Sequence, residues 1–126
     1  MINMSNCPCT GINLDKFLQP AILMILLRGA LHGYILIEDI AQTPMFQGVR
    51  PDASGVYRYL KLMEERELIN SSWSIEDTGP AKRIYQITDK GYQCLLEWKN
   101  TLEEYRDNIA QLVEKIEQAI IVGSNK

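Results

Sequence analysis

Between Leu95 and Ala119, apolar residues recur at alternating intervals of three and four: Leu95, Trp98, Leu102, Tyr105, Ile109, Leu112, Ile116 and Ala119. That is an a/d heptad seam sustained over more than three heptads. It predicts a last helix from Asp89 to about Ile121, with Thr88 as its N-cap. A helix of about thirty residues, rising 1.5 Å each, is about 45 Å long, which exceeds what one small domain can cover. Part of the stripe must meet another surface, and a second copy of the chain is the simplest partner. Leu95, Trp98, Leu102, Tyr105, Ile109, Leu112 and Ile116 are therefore the candidate dimerisation residues.

The 126 residues suit one compact domain plus at most one protruding element. The longest apolar run, Ala21 to Leu27, is far short of the roughly 20 residues that cross a bilayer. Met1 to Thr10 is polar and lacks a basic region followed by an apolar stretch, so no export signal is expected. A cytoplasmic location and no membrane partner follow.

Ahead of the long helix the chain divides readily. Residues 1–13 have no apolar period and read as a flexible arm. Leu14 to Arg28 reads as a first helix with Phe17, Leu18, Ala21, Ile22, Ile25 and Leu26 on one broad face. Pro20 is tolerated only near a helix start, so the regular helix could begin there. Gly29 is a plausible stop. His32-Gly33-Tyr34 opens a second helix, Tyr34 to Ala41, which Thr43-Pro44 ends. Residues 45–52 connect to a third helix, capped by Asp52 or Ser54 and running to about Arg66. There Val56, Leu60 and Met63 repeat at helical spacing, while Tyr57, Arg58 and Lys61 lie on other faces. Residues 71–75 and 83–87 alternate apolar and polar, and Asp77, Gly79 and Pro80 between them form turns. They make a β-hairpin.

Helix, helix, helix, hairpin, long helix is the order of a winged helix-turn-helix. The expected fold is mainly α: a three-helix DNA-binding domain over 14–88 with a hairpin wing, then a dimerisation helix over 89–126. Its third helix is the candidate reader of the major groove, and the wing the candidate contact to neighbouring phosphates.

Other chemistries lack raw material. His32 is the single histidine, and no nucleophile, base and orienter converge in the pattern. No enzyme activity and no cofactor are expected. Cys7, Cys9 and Cys94 are an odd set without C-x-x-C spacing, so no metal site is expected and the arm is read as free. Three thiolates on a soft metal, or a redox sensor, is the alternative. The net charge of −3 argues against nonspecific coating of nucleic acid. It leaves open specific binding through a local patch.

The residues also resemble a known family. Ala21 to Leu27, His32-Gly33-Tyr34, Gly55-Val-Tyr57-Arg58-Tyr59-Leu60, Leu68-Ile69, Gly79-Pro80-Ala81-Lys82-Arg83-Ile-Tyr85 and Ile87-Thr88-Asp89-Lys90-Gly91 follow in the order of the PadR-like regulators. The match covers about two-thirds of the chain. It implies a dimeric repressor whose grip on DNA is altered by a small ligand or stress signal. A Cys-Pro-Cys start and a Pro-Met-Phe-x-Gly linker resemble a branch associated with polyhydroxybutyrate control. One residue departs from the pattern: Glu67 stands where the family usually ends its recognition helix with glycine.

The candidate DNA-binding residues are Tyr34, Ser54, Gly55, Tyr57, Arg58, Lys61, Lys82 and Arg83. Arg58 suits guanine or phosphate, Lys61 supplies a point charge, and Ser54 donates at a helix N-terminus. The plain alternative is a solvated helix face. Tyr57 could instead pack on the second helix. Lys82 and Arg83 follow a Gly-Pro turn and suit phosphate or minor groove, against a merely solubilising turn. The resemblance points the Tyr34 hydroxyl toward the DNA backbone, and a core tyrosine is the alternative. Trp98 and Tyr105 could line a pocket for a small apolar effector, or Trp98 could simply anchor the interface. The rival reading of the whole chain is a winged-helix protein-interaction module that does not touch DNA.

Overall fold

The computed structural model describes residues 14–74 and 82–124. The arm with Cys7 and Cys9, and the turn with Asp77, Gly79, Pro80 and Ala81, lie outside the described residues.

A 3-10 turn, Leu14–Phe17, leads into helix α1, Leu18–Leu27. The first expected helix is thus split. Pro20 is the third residue of α1, where a helix has no internal acceptor for the N–H that proline lacks. Leu18, Ala21, Ile22, Leu23, Ile25 and Leu26 are all buried, so α1 is apolar nearly all round and forms the middle of the core. A second correction to the sequence reading follows residues 28–30. Leu31–His32 form a short strand, β1, before helix α2, Gly33–Ala41. Leu36, Ile37 and Ile40 point from α2 into the core.

Helix α3 is Ala53–Glu65, and the Asp52 carboxylate caps it by accepting from the Gly55 N–H at 2.9 Å. Val56, Leu60 and Met63 are fully buried at the expected spacing. Strands β2, Ile69–Ser74, and β3, Lys82–Ile87, pair antiparallel. On the other edge of β3, Leu31 opposes Tyr85 and His32 opposes Ile84, giving a three-stranded sheet of order β1-β3-β2. The hairpin is therefore anchored to the entry of α2.

Helix α4, Asp89–Ser124, completes the chain. Thr88 caps it: its hydroxyl accepts from the Gly91 N–H at 3.0 Å and reaches the Glu67 and Leu68 carbonyls at 2.7 and 2.9 Å. A β-carbon on Gly91 would lie 2.0 Å from the Leu68 carbonyl oxygen, so only glycine fits here. The described chain forms two compact units that meet within α4, between Leu95 and Leu96. The first holds the helices, the sheet and the opening turns of α4. In the second, Tyr105, Ile109, Leu112, Val113, Ile116, Ile120 and Ile121 are exposed on a single helix. Among the described residues no helix is long and apolar enough to cross a membrane.

The end of α3 explains the departure at Glu67. The Leu68 N–H donates to the Met63 carbonyl at 3.0 Å and the Glu67 N–H to the Glu64 carbonyl at 2.9 Å. This is a Schellman closure, with Leu68 buried beside Met63. It demands a left-handed residue, and Glu67 takes φ +63° to supply it. An L side chain pays about 1–2 kcal/mol for that backbone. Glycine would relieve it, offset partly by the extra freedom of the unfolded chain. Glu67→Gly should therefore stabilise the protein by about 0.5–1 kcal/mol, read as a higher midpoint in urea with an unchanged slope.

Candidate nucleic-acid interface

Helix α3, the turn end of the wing hairpin and the first turn of α2 carry the candidate residues. Ser54, Tyr57, Arg58 and Lys61 are exposed, as are Lys82, Arg83 and Tyr34; Gly55 is half-buried. Their exposure follows from the core spacing. Val56, Leu60 and Met63 take the inward face of α3, which turns positions 54, 57, 58 and 61 away from it.

Tyr57 joins these elements. With Tyr34, Lys82, Arg83 and buried Tyr85 it lines a shallow hollow of about 340 Å³. Gly33 makes room for the Tyr57 ring: a β-carbon there would lie 2.6 Å from the ring edge and 2.9 Å from the hydroxyl. The Tyr34 ring stacks on His32, with centroids 5.6 Å apart and planes 13° from parallel. Lys82 Nζ lies 4.9 Å from the Tyr34 centroid. Tyr34 is thus neither a core tyrosine nor a bare hydroxyl; its ring face holds a cation. The Tyr85 hydroxyl is pushed above the ordinary phenol range by burial, with Arg83 pulling it back down and Glu64 and Tyr57 adding to the rise. It stays a neutral group under the hollow.

Ion pairs among the described residues engage four cations and leave Lys16, Arg28, Arg66 and Lys115 unpaired along with those of this surface. Arg50 pairs with Glu38, Lys90 with Glu67, Lys99 with Glu103 and Arg106 with Asp107. Arg58, Lys61, Lys82 and Arg83 form no ion pair with an acid among the described residues. Two such cations on α3 and two at the start of β3 suit a polyanion.

A family model matches residues 22–97 and describes the transcriptional regulator PadR-like family. The chain belongs to that family. Its members are transcriptional regulators, not enzymes. A transcriptional regulator from Thermoplasma acidophilum is 28% identical, with a TM-score of 0.70 over 81% of this chain and 95% of its own. A PadR-like regulator from Bacillus cereus is 27% identical, with a TM-score of 0.67 over 79% of this chain and 94% of its own. PadR from Bacillus subtilis, solved in complex with operator DNA, is 31% identical, with a TM-score of 0.56 over 64% of this chain and 45% of its own. No curated protein matches the chain.

The other sequence candidates fall elsewhere. Leu95, Trp98 and Leu102 are half-buried on α4, and Tyr105, Ile109, Leu112 and Ile116 are exposed. Cys94 is half-buried, its thiol 3.7 Å from the Gln19 side-chain oxygen. Among the described residues no cluster of three or more His, Cys, Asp or Glu could hold a metal. Sequence reasoning passed over Trp73. It is 61% exposed on β2, with the Arg83 guanidinium 5.2 Å from its ring centre. The signal was the pairing register, which sets Trp73 opposite Arg83.

The Gly33 contact yields a prediction. Gly33→Ala leaves the backbone unstrained and sets a methyl against the movable tip of Tyr57. Duplex affinity should fall about fivefold, while unfolding free energy changes by less than about 1 kcal/mol. Paired titrations of DNA and urea check this; a loss of stability as large as the loss of affinity would sink it.

Proposed function

We propose that this PadR-like regulator is a homodimeric repressor that sets α3 in the major groove and its wing on the adjoining phosphates. One observation carries the reading. Tyr57 of α3 and the cations Lys82 and Arg83 of the wing line the same hollow, which supports reader and wing acting on one ligand. Ser54 brings a hydroxyl donor to the N-terminal turn of α3, where the Gly55 N–H is held by the Asp52 carboxylate. Arg58 and Lys61 face outward from the next turn. Binding should fall steeply with salt, since each phosphate contact releases counterions. Arg58→Ala should weaken specific binding by about 1–3 kcal/mol if the guanidinium reads a base. An unchanged affinity for the chain's own promoter region would remove α3 as the reader.

The exposed stripe of α4 supports the dimer. Tyr105, Ile109, Leu112 and Ile116 lie in the heptad seam and are exposed in the single chain. A helix of 36 residues is about 54 Å long at 1.5 Å per residue. Two reading heads related by a dyad would take half-sites about one helical turn apart, so the operator is a pseudo-palindrome. The branch resemblance supports a role in polyhydroxybutyrate control. An apolar effector beside Trp98 and Tyr105 would release DNA by favouring one spacing of the heads, and operator DNA would weaken effector binding by the same factor. The seam is tested directly: Leu102→Asp with Ile109→Asp sets two carboxylates in an apolar interface and should abolish the dimer. Sedimentation of a soluble, folded dimer of that double variant would refute the pairing.

A further inference from the structure

Both cations at the turn end of β3 lie against aromatic rings. Lys82 lies over Tyr34, and Arg83 over Trp73. The second pair is built into the sheet. Trp73 and Arg83 are directly opposed on β2 and β3, so their side chains leave the same face. Trp73 is 61% exposed, so the core does not explain it. The Arg83 guanidinium carbon lies over its indole, 5.2 Å from the ring centre.

A stacked guanidinium differs from a stacked ammonium. Its N–H donors radiate in its own plane, so the edge stays open while the face is covered. An arginine on an indole can thus donate two parallel bonds to a phosphate without leaving its seat. A free arginine must give up rotamer freedom when it binds; one already held on a ring gives up less. We propose that Trp73 is a positioning residue for DNA binding, holding Arg83 edge-out toward a backbone phosphate of the duplex. The inference rests on the DNA-binding reading above and deepens it.

The test is a double-mutant cycle on sheared duplex DNA at low salt, since phosphate contacts need no particular sequence. Trp73→Ala should weaken binding about three- to fivefold when Arg83 is present and no further in an Arg83→Ala chain. Trp73→Phe, which keeps a ring, should retain most of the affinity. Equal loss in both backgrounds would mean that Trp73 touches DNA by itself, and no loss would mean that it positions nothing; either overturns the proposal. A DNA-free arm separates the seat from the DNA reading. Arg83→Ala should make tryptophan fluorescence more open to quenching by neutral acrylamide, and the same change in a Trp73→Phe chain should leave the remaining Trp98 signal unmoved. Unchanged quenching overturns the seat even if DNA binding is intact. If quenching rises as expected but the unaltered chain binds no duplex, the DNA-binding reading fails and the positioning role falls with it.

Discussion

The Thr88 joint is the constraint on which the rest of the winged domain depends. One side chain caps α4 and reaches the two carbonyls that follow α3. Those carbonyls leave the left-handed turn at Glu67. Gly91 lets the first turn of α4 come against the Leu68 backbone, where any side chain would collide. The exit of α3, the start of β2 and the entry of α4 therefore share a few atoms. A shift of α4 at its first turn cannot avoid the end of α3. Packed joints of this kind have discrete arrangements rather than a soft continuum, which is what a two-state regulator requires.

Much of this was legible because the elements are long or strongly periodic. Val56, Leu60 and Met63 mark the buried face of α3, and the spacing alone exposes Tyr57, Arg58 and Lys61. Asp52 is a good cap by type and caps in fact. The failures have physical causes. Two residues, Leu31 and His32, are too few to show alternation, so β1 was hidden within the entry to a helix. Proline at the third position of a helix looks the same in sequence as proline at the first, so the start of α1 was ambiguous. Glu67 gave no turn signal because its conformation is imposed by the Schellman closure and not by its side chain.

The candidate site was legible by residue type and illegible in its pairings. Lys82 and Arg83 stand out as cations beside a turn. That one rests on Tyr34 and the other on Trp73 depends on strand register and on β1 holding the hairpin against α2. An exposed tryptophan in a polar strand is unremarkable until its opposite residue is known. The acidic total charge misled in the other direction. A sum over 16 acids and 13 cations does not say where charge sits, and Arg58, Lys61, Lys82 and Arg83 are free of ion pairs with described acids.

The short strand β1 also bears on how the chain assembles. Its partner on β3 comes from the far end of the winged domain, with α2, α3 and β2 between them in the chain. Closing that pair encloses a long loop, and the two residues of β1 offer little to repay the entropy. The pair therefore gains from helices already gathered around α1, which shorten the loop it must close. Until it closes, β3 has a bare edge beside β2, open to strands of other chains. During synthesis the sheet cannot be finished until Leu31 has waited for Tyr85.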